Sequence, residues 1–254
     1  MAGAMVTGWR KGGIDFSGVT VIRPSGAQVE GVRTVTDYPD EAPAFVMLGF
    51  KPQKLGEVAP GLAERVGPGT RLVSMLAGVS ARSLRERFPN AGPIVRIMPN
   101  LPVAEVQGVT GLYSEDGTRE ELADVGQLMA SLGMVAWCQA EAELGIIGAI
   151  SAAGVAYVAR FADALADAGK SMGLGEGLSD QLAIQTLVGT AAYAASEGIS
   201  MDEISRRVAS PQGTTEQGLA VLDGADGLNV LVRRALDAAV RRGEELAAQA
   251  ARHN

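Results

Sequence analysis

The chain has very few of the residues on which much enzyme chemistry depends. Of its 254 residues, one is histidine and one is cysteine, and aromatic residues make up only 4%. Because the single histidine, His253, is the penultimate residue, a serine–histidine–aspartate triad, a cysteine–histidine pair and a histidine zinc site are all implausible. Cys138 has no second cysteine with which to form a disulfide within the chain, which agrees with a reducing cytoplasm. We therefore expect no metal site, and any chemistry has to proceed without imidazole.

Charge and hydropathy argue against two classes of partner. The net charge is −7 and no long basic run is present, so nucleic acid is not an expected partner. The uncharged run at residues 144–159, which no other run exceeds, is shorter than the ~20 residues that span a bilayer, so we expect a buried helix and no membrane segment. Residues 1–13 contain no apolar core of a secretory signal, and a cytoplasmic location is predicted.

The first half of the chain alternates between the strand and helix patterns. The predicted strands are residues 19–23, 44–50, 71–76, 94–98, 109–114 and 134–138, and the predicted helices are 2–11, 53–66, 81–87 and 118–132. Residues 44–50 are apolar throughout, as expected of a strand that is buried on both faces. Alternation of this kind predicts a mostly parallel sheet covered by helices.

The second half contains no clear strand pattern. Its predicted helices are residues 143–168, 178–196, 201–208, 216–222 and 228–251. The predicted fold is therefore an α/β domain over residues 1–140, followed by an all-α domain over residues 141–254. Residues 144–159 and 182–195 are apolar on most faces, so one copy of the chain can hardly cover them. We expect a homodimer or a higher homo-oligomer.

A turn in the second half is a candidate ligand site. The sequence Ser210-Pro211-Gln212-Gly213-Thr214-Thr215 predicts a sharp turn, since proline fixes one backbone angle and glycine frees another. The turn leads into a helix, whose first N–H groups lack internal partners and suit a small carboxylate. The alternative is an ordinary helix cap, because threonine is a common capping residue. The local sequence leaves both interpretations open.

Three motifs together resemble those of the Δ1-pyrroline-5-carboxylate reductase family, which completes proline synthesis. The family patterns are Arg-x-Met-Pro-Asn, Ala-Leu-Ala-Asp-Ala-Gly and Ser-Pro-Gly-Gly-Thr-Thr. Their counterparts here are residues 96–100, 164–169 and 210–215, in the same order and at the same spacing. The resemblance covers nearly the whole chain, and the combination is specific.

The resemblance implies a fold, a reaction and a substrate site. The fold is a Rossmann-like dinucleotide-binding domain followed by a helical dimerisation and substrate domain. The reaction is reduction of 1-pyrroline-5-carboxylate to L-proline by hydride transfer from NADPH, with NADH as the alternative donor. Ser210, Gly213, Thr214 and Thr215 are the implied substrate-binding residues. Thr215, by its position in the motif, is the candidate to donate a hydrogen bond or proton to the ring nitrogen.

Four short segments are candidates for contact with the cofactor. Arg23 and Ser25 follow the second strand of the usual sheet, where an arginine beside a hydroxyl suits a 2′-phosphate and favours NADPH; a polar loop is the alternative. The remaining candidates, which resemble family contacts, are Lys51 with Pro52, Ala77 with Gly78, and Met98 with Asn100. For Lys51 and Pro52, the alternative is a surface lysine before a helix-starting proline.

The chain also departs from the family pattern. Residues 1–5 match the final methionine of the family's Gly-x-Gly-Asn-Met turn and the helix that follows it, so the first strand and both glycines have no counterpart. Either the native chain starts upstream of Met1, which we favour, or a deletion has damaged the domain. Ala152, Val155 and Gln212 replace family residues and leave the exact cyclic imine open, and Gln212 is expected to avoid positive φ. A reductase of another cyclic imine and a non-catalytic oligomeric relative with a decayed nucleotide site are the remaining alternatives.

Overall fold

The computed structural model describes the backbone of residues 1–253 and the side chains of residues 1–248. The chain forms two compact units. The first contains Met1–Ala152 and the C-terminal stretch from Val240, and the second is Ala153–Ala239. The predicted division after residue 140 stays a prediction.

The first unit is an α/β structure. Its strands are β1 (Thr20–Ile22), β2 (Arg33–Val35), β3 (Phe45–Leu48), β4 (Arg71–Ser74), β5 (Ile94–Pro99), β6 (Gly108–Tyr113) and β7 (Gly133–Trp137). Its helices are α1 (Ala2–Lys11), α2 (Leu55–Ala63), α3 (Ala81–Arg87), α4 (Ala123–Ala130) and α5 (Glu143–Ile147). Two short 3₁₀ helices, Pro52–Lys54 and Leu101–Glu105, and a π-helical turn, Gly148–Ala152, also belong to it.

The strands form two sheets. The larger has the order β3-β4-β5-β6-β7, and every neighbouring pair in it is parallel except β5 and β6, which are antiparallel. The smaller sheet is the parallel pair β1 and β2. The predicted mostly parallel sheet is thereby confirmed. Strand β2, of three residues, was not predicted.

Strand β3 differs from its prediction. Residues 44–50 were expected to be buried on both faces, but Phe45, Val46 and Met47 are only half-buried, and Leu48 alone is fully buried. The physical reason is position: among the described residues β3 pairs only with β4, so it is an edge strand. An apolar run cannot distinguish an edge strand from a central one.

The core of the first unit lies on both faces of the larger sheet. Leu72 and Val73 are neighbours in β4 and are fully buried, yet they belong to different apolar clusters. Side chains alternate between the two faces of a strand, so each cluster covers one face. Leu72 packs with α2 and α3 residues, and Val73 packs with residues from α1 and α4. The carboxyl ends of β3, β4 and β5, where ligands bind in open α/β sheets, are thus held by a core on either side.

The second unit is entirely helical, as predicted. Its helices are α6 (Ala153–Ser171), α7 (Glu176–Glu197), α8 (Met201–Val208), α9 (Thr214–Leu222) and the first part of α10 (Leu228–His253). Large apolar side chains are exposed along α6 and α7, including Phe161, Leu182, Ile184 and Val188.

One helical run is long and apolar enough to cross a membrane by length and composition alone. It is Glu143–Ser171, of which the uncharged residues 144–159 form the first half. Helices packed between protein surfaces are also apolar on most faces, so composition does not separate the two roles. The expectation of no membrane contact stays a prediction.

Candidate functional site

Two candidate cofactor segments follow β3 and β4 at the carboxyl edge of the larger sheet. Pro52 is the first residue of a 3₁₀ helix, and Lys51 before it is exposed. The second segment is a β-turn in which the Val79 N–H donates to Leu76 O, with Gly78 at φ +75°. Only glycine adopts that angle without strain, so the turn depends on Gly78. A Cβ at Gly78 would lie 3.2 Å from Ala247 Cα of α10, so a helix backbone already approaches this glycine closely.

The Arg23 segment follows β1. Arg23 N–H donates to Val35 O of β2, and Arg23 O accepts from Gly26 N–H, which closes a turn containing Ser25. Both Arg23 and Ser25 are exposed. Within the described part of the chain, neither the Arg23 guanidinium nor the Lys51 ammonium forms an ion pair, so both charges can meet a phosphate.

Asn100 is buried, and both polar atoms of its side chain form a hydrogen bond. Its Oδ1 accepts from Val109 N–H at 2.8 Å, and its Nδ2 donates to Ser151 O at 3.0 Å. Asn100 therefore ties the end of β5 to β6 and to the π-helical turn. Met98 packs against the same turn, since a Cβ at Gly148 would lie 3.3 Å from Met98 Cγ. The structure gives Asn100 an organising role that the sequence did not indicate, and direct contact with a cofactor stays a prediction.

Sequence reasoning missed an ion pair beside this site. Arg96 Nη1 lies 2.7 Å from Glu141 Oε1, and the two side chains are only 12% and 27% exposed. The same Glu141 oxygen accepts from Ala81 N–H, at the start of α3. Arg96 was part of a recognised motif, but nothing in the sequence near Glu141 pointed to this contact, because the two residues are 45 positions apart.

The residues present fit a dinucleotide cofactor. The first turn of α1 carries no acidic side chain and no side-chain cap, so its N–H groups suit a phosphate. Lys51 and Arg23 supply unpaired positive charges, as described above. The candidate residues after β3, β4 and β5 lie at the carboxyl ends of adjacent strands in one sheet.

The turn at residues 210–215 belongs to the second unit. Gly213 N–H donates to Ser210 O at 2.9 Å, with Pro211 and Gln212 at the two central positions. Gln212 has φ +61°, so the expectation that it avoids positive φ was wrong. A turn with proline first and positive φ second is type II, and its geometry overrides the side chain's preference. The Glu216 carboxylate accepts from Gln212 N–H at 2.6 Å and helps to hold the turn.

The two threonines of this turn do not cap the helix. Helix α9 begins at Thr214, two residues before the predicted start, and its N-cap is Gly213 with no side-chain hydrogen bond. Thr214 and Thr215 are exposed. In the described chain their hydroxyls and their backbone N–H groups have no hydrogen-bond partner. These donors are therefore available to an anionic ligand.

Comparisons with known proteins agree on one family. Residues 141–246 match the family model for pyrroline-5-carboxylate reductase dimerisation. The pyrroline-5-carboxylate reductase of Pseudomonas aeruginosa is 33% identical over 98% of this chain and 94% of its own length.

Solved structures give the same result. That of a pyrroline-5-carboxylate reductase from Coxiella burnetii has a TM-score of 0.87 and 29% identity, covering 96% of this chain and 94% of that one. The Plasmodium falciparum pyrroline carboxylate reductase with NADP bound shares the fold, with a TM-score of 0.81, 22% identity and coverage of 96% and 93%. Because sequence and fold agree over nearly the full length, the chain belongs to the pyrroline-5-carboxylate reductase family.

Proposed function

We propose that this protein reduces 1-pyrroline-5-carboxylate to L-proline with a nicotinamide nucleotide, in the cytoplasm. The observation that carries the proposal is the family relationship, which extends over 98% of the chain and both structural units. The reaction class also suits a chain with a single histidine. A protonated cyclic imine is already electrophilic at carbon, so alignment matters more than a strong general base.

The cofactor would be held by residues of the first unit. When bound, its nicotinamide supplies the hydride. Lys51, Pro52, Ala77, Gly78 and Met98 are the candidates for contact with it. Asn100 belongs to the same set, with its amide already occupied in organising the neighbouring backbone.

NADPH is the proposed form of the cofactor. Arg23 and Ser25 follow the strand at the position where an NADH-binding protein would have an acidic residue that holds a ribose hydroxyl. The Arg23 guanidinium is exposed and forms no ion pair in the described structure. A 2′-phosphate would give this cation a charged partner. Comparison of NADPH and NADH as donors in one assay tests the preference.

The substrate carboxylate would be bound by the turn at residues 210–215. Thr214 and Thr215 offer backbone N–H groups at the start of α9, together with two hydroxyls that have no partner among the described residues. Ser210 and Gly213 shape the turn through their backbone hydrogen bond. The Thr215 hydroxyl is the proposed donor to the ring nitrogen.

Substitution of Thr215 tests this assignment. Thr215→Ala should lower turnover at least about tenfold, because one positioned hydrogen-bond or proton donor typically contributes that much or more. Stability should change little, since the side chain is exposed and makes no hydrogen bond in the described chain. NADPH oxidation with 1-pyrroline-5-carboxylate and thermal unfolding are the two measurements. Thr215→Ser restores a hydroxyl and should recover most of the rate; equal activity of Thr215→Ala and wild type would reject the role.

The substrate itself is tested by a ring-size comparison. The same assay is run with the five-membered imine and with its six-membered homologue. A preference for the larger ring would favour the alternative that Gln212, Ala152 and Val155 left open. Failure of both substrates, together with loss of NADPH binding, would favour the non-catalytic relative with a decayed nucleotide site.

A homodimer is the proposed assembly. The family model that matches residues 141–246 describes dimerisation, and the helices it covers expose large apolar side chains. Higher oligomers built from such dimers are compatible with the same surfaces.

A further inference from the structure

One carboxylate oxygen joins three elements around the proposed cofactor site. Glu141 Oε1 accepts from Ala81 N–H at 2.6 Å and from Arg96 Nη1 at 2.7 Å. Ala81 is the first residue of α3, directly after Ser80, which caps the helix by accepting from Ser83 N–H. Arg96 lies in β5, and Glu141 lies between β7 and α5.

Both residues that donate to Glu141 lie close in sequence to candidate cofactor residues. The turn at residues 76–79 ends one residue before the Ser80 cap, and Met98 follows Arg96 by two positions in the same strand. The contacts of Glu141 with Ala81 and Arg96 form a clamp between α3 and β5. An extended strand rises about 3.3 Å per residue, so Arg96 in this clamp lies within about 7 Å of Met98 along β5. A shift of either segment would displace the surface that the cofactor contacts.

We propose that Glu141 is a positioning residue, which holds the turn at 76–79 against strand β5 and so sets the affinity for NADPH. This inference rests on the proposed function. Glu141 acts through these two partners, since its Oε1 is engaged by two groups of the protein. The pair is largely out of water, so loss of the negative charge leaves Arg96 without its partner.

The chain offers a matched control at the other end of the same helix. Asp116 Oδ2 accepts from Arg85 Nη2 at 2.8 Å and from Ile94 N–H at 2.8 Å. Arg85 is in α3 and Ile94 is the first residue of β5. The helix and the strand are the same as at Glu141, with the donors exchanged: here the arginine belongs to the helix and the backbone N–H to the strand. This contact lies at the amino end of β5, away from the candidate cofactor residues.

The test compares Glu141→Gln with Asp116→Asn in the full chain. Each variant keeps an oxygen acceptor and removes one charge. Glu141→Gln should weaken NADPH binding about tenfold, as expected for a displaced binding surface, whereas Asp116→Asn should change it less than about twofold. Binding is measured by the fluorescence of NADPH, without substrate. Amide hydrogen exchange should become faster over residues 76–83 in Glu141→Gln, and over residues 88–95 in Asp116→Asn.

The outcomes separate the inference from the proposed function. Equal weakening of NADPH binding in both variants, or unchanged exchange over residues 76–83 in Glu141→Gln, would overturn the positioning role. If wild type does not bind NADPH, the proposed function fails, and with it the link to affinity, while the exchange result still decides whether the clamp exists.

If Glu141→Gln does not fold, Arg96→Lys replaces it as the test variant. The lysine keeps the positive charge but loses the planar fork of arginine. Arg96→Lys should weaken NADPH binding to an intermediate degree and make exchange faster over residues 76–83; wild-type values for Arg96→Lys would overturn the proposal.

Discussion

At the scale of single residues, Cys138 shows how local surroundings set reactivity. Burial raises the pKa of its thiol, the nearby Glu143 carboxylate raises that pKa further, and Arg96 acts in the opposite direction. Alkylation requires the thiolate, so at a given pH a raised pKa means a smaller reactive fraction. The only cysteine of the chain should therefore be a slow nucleophile at neutral pH.

Alkylation rates measure this directly. The rate of reaction of Cys138 with iodoacetamide, followed by mass spectrometry from pH 7 to 10, should reach its midpoint above the value for free cysteine, about 8.5. Glu143→Gln removes a negative charge and should move the midpoint to lower pH. The midpoint is independent of how accessible the sulfur is. A midpoint at or below that of free cysteine would contradict the environment described for Cys138.

Gln212 is the second residue-scale case, because it adopts a backbone conformation that favours glycine. Its φ of +61° costs a non-glycine residue about 1 kcal/mol. Gln212→Gly should therefore raise the free energy of unfolding by about 0.5 kcal/mol, after the extra flexibility that glycine adds to the unfolded chain. Gln212→Ala keeps the strain and should bring no gain. Urea unfolding of both variants decides the matter, and a glycine variant less stable than the alanine variant would count against the left-handed turn.

At the scale of elements, one buried amide connects three pieces of backbone. Asn100 bonds Val109 N–H in β6 and the Ser151 carbonyl in the π-helical turn. Asn100→Ala would leave both groups unpaired in a buried place, and should lower the free energy of unfolding by about 2–4 kcal/mol. Gln107, which is exposed and close in sequence, is the control, and Gln107→Ala should lie within about 0.5 kcal/mol of wild type. Similar losses in the two variants would show that the Asn100 bonds are not structural.

The elements also show which sequence signals are reliable. Helices α1, α3 and α8 were predicted at their observed bounds, because each has a clear stop or start, such as the capping Ser80 and Ser200. The π-helical turn at 148–152 could not be foreseen, since its small residues suit a regular α-helix equally well. The same holds for Glu141, whose two partners are distant in the chain. Helix ends marked by a capping residue or a stop were predicted correctly, whereas contacts between elements were not.

At the scale of the whole molecule, the family motifs predicted the fold class and the reaction, whereas composition only argued against certain kinds of catalytic site and certain classes of partner. The alternation of strands and helices predicted a mostly parallel sheet, but not that β5 and β6 are antiparallel. Pairing between strands depends on contacts across many residues, which periodicity along the chain does not encode.

The helical unit carries the last prediction, which concerns self-association. Ile184 in α7 is 60% exposed, and it lies within residues 141–246, the region that matches the dimerisation family. A charge placed in an apolar interface has to be desolvated without a partner, so Ile184→Asp should shift the protein from dimer towards monomer. Met134 in β7 is 65% exposed but lies outside that region, and Met134→Asp should leave the assembly intact.

Sedimentation velocity at several concentrations distinguishes these outcomes. Wild type and Met134→Asp should sediment as dimers or larger assemblies, and Ile184→Asp should show a larger monomer fraction that grows on dilution. Because large apolar side chains of α6 and α7 are exposed in one copy, a dissociated chain should also unfold or aggregate more readily. A stable, folded wild-type monomer at every concentration would mean that these apolar faces do not bind a second copy, and the proposed homodimer would have to be abandoned.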